Sequence, residues 1–152
     1  MAGTVAHGVI EASHIRVAEV TFTEAGAGTY TGTVAVPAGS TILDIQVQST
    51  ALWTNGTSAA MIVGDDDDPN GFYDAIDLKA TDLLVAEVIR FGSTGGKEGA
   101  YIVPATGELN SYSATARNII GVITAGEGAE ATGVTRMLVI YATPVAVAAT
   151  KA

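Results

Sequence analysis

The sequence predicts an all-β fold, an antiparallel β-sandwich of jelly-roll-like form in a single domain with flexible terminal arms. Three observations carry that expectation. Polar and apolar residues alternate with a period of two in successive short stretches, and Gly, Pro and Asn turns separate those stretches. Several stretches are apolar on both faces, which fits two packed sheets better than one solvated sheet. Only one segment could support a helix. A length of 152 residues suits one domain with its own core. The expected division is an N-terminal arm over residues 1–15, a β-sandwich over 16–143 and a C-terminal tail over 144–152.

Residues 1–13 are small and polar, with no period, and read as an arm. From Arg16 to Thr23 the residues Ala18, Val20 and Phe22 share one face of a strand. After the glycine-rich turn at 24–28, Tyr30, Gly32, Val34 and Val36 share a face of a second strand, and the two are expected to pair as a hairpin. Pro37 and Gly39 mark a turn. Leu43, Ile45 and Val47 then alternate with Asp44, Gln46 and Gln48 in a third strand. Trp53 precedes an Asn-Gly turn, reads as a core plug, and is followed by an apolar strand at 59–63. Residues 77–87 could form one helical turn capped by Thr81 or Asp82. Short strands at 88–91 and 100–103 flank a polar loop, and Pro104 to Gly107 turns the chain again. Residues 118–124 read as a buried strand. The stretch Val134 to Ala142, apolar on both faces after Arg136, should be central in its sheet.

Composition excludes several functions. A net charge of −9 with only seven Lys and Arg cannot supply the clustered cations that nucleic acid requires. No apolar run approaches the roughly 18 residues of a membrane-spanning helix, so neither nucleic acid nor membrane is an expected partner. With no Cys there are no disulfides or thiol nucleophiles. The two histidines, His7 and His14, lie in the arm, and Gly-x-Ser-x-Gly is absent, so the chain reads as non-enzymatic with no catalytic residues. The Gly-Gly-Lys at 95–97 is followed by Glu98 where a phosphate loop needs Ser or Thr. Charged residues make up 15% of the chain, against about 25% in ordinary domains, which points to a homo-oligomer with covered surface.

Charge is concentrated in one place. Eight of the 16 acidic residues fall between positions 65 and 87, beginning with four consecutive aspartates. Two readings stand. In the first, Pro69-Asn70-Gly71 reverses the chain and the aspartates are a solvated turn. In the second, Asp66, Asp68, Asn70, Asp74 and Asp77 follow the oxygen-ligand spacing of a calcium loop, with Gly71 at the sharp turn. Against calcium, Asp77 replaces the longer bidentate Glu and Pro69 stiffens the loop. No other cofactor is expected.

The segments Thr21-Phe22-Thr23-Glu24-Ala25-Gly26-Ala27-Gly28-Thr29-Tyr30-Thr31-Gly32, Val36-Pro37-Ala38-Gly39-Ser40-Thr41-Ile42-Leu43-Asp44-Ile45, Ala51-Leu52-Trp53-Thr54, Asp68-Pro69-Asn70-Gly71-Phe72-Tyr73 and Asp77-Leu78-Lys79-Ala80-Thr81-Asp82-Leu83 together resemble the small head decoration, or cement, proteins of tailed bacteriophages. The resemblance covers roughly residues 16–90 and the last strand. It implies a jelly-roll-like domain, a trimer, arms that reach neighbouring subunits, the major capsid protein as partner, and synthesis in the host cytoplasm followed by a place on the virion surface. The competing classes are a carbohydrate- or calcium-binding sandwich using Trp53, Tyr73 and the acidic loop, and a phage fibre or tail accessory protein.

Overall fold

A computed structural model of the chain describes residues 4–5, 14–54, 56–128, 132–144 and 150–151. The strands are β1 (Thr4–Val5), β2 (Ile15–Thr23), β3 (Gly28–Val36), β4 (Thr41–Ala51), β5 (Ala59–Gly64), β6 (Tyr73–Asp77), β7 (Val88–Ile89), β8 (Ile102–Val103), β9 (Glu108–Leu109), β10 (Arg117–Ala125), β11 (Val134–Ala142) and β12 (Thr150–Lys151). Two four-stranded sheets, ordered β2-β11-β4-β7 and β3-β10-β5-β6, make the domain, and all their pairings are antiparallel. Apart from the step from β5 to β6, the chain changes sheet between successive strands of the two sheets, which is the path of a jelly roll. The expected all-β fold is the observed one, and β11 and β10 are central as their apolar patterns require.

The strands at 15–23 and 28–36 are not a hairpin. Each belongs to a different sheet, so β2 lies over β3 instead of beside it. The physical reason is visible at the inner face. Phe22, Val34 and Val36 are buried, and stacking covers both apolar faces at once, whereas side-by-side pairing would leave them on the same open surface. Gly32 and its register partner Gly121 allow the close approach. A Cβ on Gly32 would press on Val20 and lie 2.8 Å from Cζ of Phe22, and one on Gly121 would lie 2.8 Å from Cε of Met61 and 2.9 Å from Sδ of Met137.

Two other expectations are corrected. Leu43 does not join Ile45 and Val47 in the core. The β4–β11 register shifts between Ile140 and Tyr141, so Leu43 is the extra residue of a bulge and is 48% exposed, while Ile42 takes the inner position. No helix forms over residues 77–87. Asp82 does accept a backbone hydrogen bond, from Asp77 at 2.7 Å, and Asp77 in turn accepts one from the Lys79 N–H at 2.7 Å. Those bonds make turns, and Ala80 and Ala86 sit at φ of 75° and 71°, which no helix accommodates.

Trp53 is the expected core plug: it is buried, its Nε1–H donates to Thr135 Oγ1 at 2.9 Å, and its ring meets Tyr30 edge-on at 5.1 Å. The arm and tail lie largely outside the described residues. Within them, β1 pairs with β12 through Thr4 opposite Lys151 and Val5 opposite Thr150.

Candidate functional site

The acidic stretch leaves the end of β5 and returns as β6. Gly64 begins it, where any Cβ would collide with the carbonyl of Asp68 folded back over it. That fold is closed by backbone bonds from Asp65 N–H and Gly71 N–H to the Asp68 carbonyl, both at 3.0 Å, and from Phe72 N–H to Val63 at 2.9 Å. Of the four consecutive aspartates, only Asp65 is buried. Its Oδ1 accepts from the N–H groups of Asp67 (3.1 Å) and Asp68 (2.9 Å) and from the Tyr101 hydroxyl (2.9 Å). Its Oδ2 faces Arg117 Nη1 at 3.4 Å.

Arg117, at the start of β10, is the second half of this staple. Nη2 donates to the Asn110 carbonyl at 3.0 Å, and the guanidinium carbon lies 5.5 Å from the centre of the Phe72 ring, a cation–π contact. Phe72 is itself buried against Phe91 and Tyr101, with ring centres 5.7 and 5.1 Å away. Burial first, then the hydrogen bond to Asp65 and the neighbouring aspartate charges, push the Tyr101 hydroxyl up to about 12. Between the loop and residues 110–117 lies an open cleft of about 320 Å³, lined by Asp66, Asp67, Tyr101, Tyr112, Ser113 and Arg117 among others. Its cation is already matched by Asp65, so the cleft presents an acidic rim over a neutralised floor.

The five residues placed on the calcium-loop pattern are held separately. Asp66 is exposed and accepts from Asn118 Nδ2 at 3.4 Å. Asp68 is half-buried and Asn70 exposed. Asp74 and Asp77 belong to β6, paired antiparallel with β5; the Asp74 N–H donates to the Lys97 carbonyl at 2.8 Å, and Asp77 is engaged with Lys79 and Asp82. A strand advances about 3.3 Å per residue, so β6 carries Asp77 onward where a calcium loop would curl it back. Among the described residues no three Asp, Glu or His side chains are grouped to hold a metal ion.

Trp53 and Tyr73 offer no platform to a sugar. Both are buried, and the Tyr73 hydroxyl, raised by burial and then by the Asp44 charge, donates to the Ile45 carbonyl at 2.5 Å. Two residues with structural weight escaped the sequence reading. Arg117 stands one residue before the stretch that reads as a buried strand, and nothing around it in sequence marks it. Glu24, in a glycine-rich turn, is buried and accepts from the N–H groups of Thr54 (3.0 Å), Thr132 (3.2 Å) and Gly133 (2.8 Å), tying three loops at one end of the sandwich.

No protein-family model matches the sequence, and no curated relative matches it. Solved structures do match by fold. A chain of the cyanophage Pam1 capsid asymmetric unit aligns with a TM-score of 0.58 at 20% identity, covering 91% of this chain and 89% of that one. The chain shares its fold with a phage capsid component. A chain of the capsid of Ralstonia phage GP4 aligns with a TM-score of 0.50 at 15% identity, covering 87% of this chain and 86% of that one. Identities this low speak for the fold alone. The coverage is wide enough that the likeness must extend into both sheets.

Proposed function

We propose that this chain is a structural protein of a phage virion, a decoration or cement protein that binds the outer surface of the capsid as a homo-oligomer and stabilises it. The observation that carries the reading is the fold likeness over nine-tenths of both chains to a component of the Pam1 capsid. The site chemistry is in keeping with it. Buried charge in the acidic loop and at Glu24 is spent on fastening loops to the sandwich, as suits a rigid building block. Exposed apolar side chains at Val17, Leu43, Leu84, Val85 and Tyr112 give the surface contact points that a packed shell covers. Residues 1–15 and 144–152 serve in this reading as arms toward neighbouring subunits.

Sedimentation tests it. Purified protein is mixed with heads assembled from the capsid protein encoded in the same genome but lacking this chain. Saturable co-sedimentation, with heads that then resist heat at a higher temperature, is expected. Protein that stays in the supernatant at every ratio overturns the proposal.

A further inference from the structure

A sheet edge exposes unpaired N–H and C=O groups, and folded proteins commonly disarm such edges with charge, shortness, proline or a bulge. The two sheets have four edges: β2, β7, β3 and β6. Three are disarmed. β2 carries Arg16 and Glu19, β7 has only two residues, and β6 carries Asp74 and Asp77 and shifts register against β5 between Met61 and Val63. β3 differs on every count. Its nine residues include no charged residue and no Pro, and they pair with β10 without a register shift from Gly28 to Val36. Its other edge pairs with no strand among the described residues. Thr29, Thr31, Thr33 and Ala35 project outward and are exposed.

We propose that the free edge of β3 is the docking site for β3 of a second copy of this chain, the two strands joining antiparallel about a two-fold axis at Gly32. Charge selects this occupant. Each copy carries −9, so copies repel wherever acidic surfaces meet, and β3 is the one long edge where two identical strands come together without any ionisable group. The register is self-complementary. With Gly32 opposite Gly32, all nine residues overlap, and Thr31 stands opposite Thr33 of the second copy on the outer face while Tyr30 stands opposite Val34 on the inner face. Thr–Thr and aromatic–β-branched pairs are favourable cross-strand neighbours. The result is a continuous eight-stranded sheet with main-chain bonds from every second β3 residue. An isologous contact gives an even copy number, two, where the resemblance to decoration proteins implied three. The inference rests on the fold and not on the capsid reading.

The test combines sedimentation equilibrium with amide hydrogen exchange on the full chain. Wild type should show twice the 15.3 kDa chain mass at micromolar concentration, with alternate β3 amides protected. Thr31→Lys with Thr33→Lys places like charges opposite each other twice across the axis, on exposed side chains that leave the core intact; it should give a one-chain mass and release those amides. Thr31→Lys with Thr33→Asp, which sets each Lys opposite an Asp of the second copy, should restore the two-chain mass in low salt. Thr124→Lys, on the same outer face but in β10, should change nothing. A wild-type mass of one or three chains, a double-Lys variant that keeps its partner, or β3 protection that arises only on capsids would each overturn the proposal, the last by giving the edge to a capsid strand.

Discussion

Replacing Asp65 with Ala isolates the staple under the acidic loop. The change strands Arg117, whose side chain is 11% exposed, without its counter-charge, and leaves the Tyr101 hydroxyl without its acceptor. Removing one member of a buried ion pair costs about 3–5 kcal/mol, and the 3.4 Å separation here favours the lower end. The N–H groups of Asp67 and Asp68 also lose an acceptor, but both lie near the surface and water can replace it. The expected loss is therefore about 3–4 kcal/mol, which at roughly 2–4 °C per kcal/mol lowers the melting temperature by about 10 °C. Asp66→Ala is the matched control. That carboxylate is exposed among like charges, so its removal should leave stability within about 0.5 kcal/mol of wild type. In the Asp65→Ala background, Arg117→Met should cost less than it does in wild type, because the stranded charge leaves with it. Denaturant unfolding of the four variants reads all of this. If Asp65→Ala and Asp66→Ala are equally mild, the buried carboxylate does not fasten the loop and the reasoning fails.

Four further outcomes follow from the same structure. The Tyr101 hydroxyl should titrate near 12 by ultraviolet absorbance, and Asp65→Ala should lower that midpoint without returning it to 10, because burial remains. Asp82 is held below 3.8 because, although burial opposes it, the Asp77 N–H and Lys97 outweigh that effect; a depressed carboxylate binds protons more tightly when unfolded, so its contribution is complete above that value and is lost as pH falls through the lowered one. Lys97→Met should accordingly cost about 1 kcal/mol or less at neutral pH, and the gap to wild type should close on acidification below pH 3.8; a gap that widens there contradicts the assignment. Trp53→Phe, which leaves the buried Thr135 hydroxyl without its partner and opens space beside Tyr30, should cost about 2–3 kcal/mol in urea unfolding. Calcium and magnesium should raise the melting temperature equally and slightly; a calcium-specific rise matching the roughly 2.7 kcal/mol of an ion at 100-fold its Kd would show that Asp66, Asp68, Asn70, Asp74 and Asp77 do converge.

Periodicity made the sandwich legible because burial on one face leaves a period-2 trace wherever a strand is regular, as in β2 and β3. It failed where a strand is irregular. Nothing in the alternation of Leu43, Ile45 and Val47 announces the bulge that turns Leu43 outward, since the bulge is set by pairing with β11. The glycine-rich turn at 24–28 is equally compatible with pairing and with stacking, and only the far partners β11 and β10 decide between them. A local reading of residues 77–87 could see a cap at Asp82 but not the strand at 73–77 that uses it. The staple was hidden for a different reason. Four adjacent aspartates look alike in sequence, and the one that folds inward is chosen by Arg117 and Tyr101, 52 and 36 residues away.

Electron cryomicroscopy of heads assembled without this chain and then incubated with it shows whether the chain decorates the capsid. Added density is expected on the outer surface, at stoichiometric occupancy, into which the two-sheet jelly roll fits with its β3 edges paired across two-fold contacts. Heads indistinguishable from the untreated ones, or the chain found as a subunit of the continuous shell itself, would contradict the proposed function.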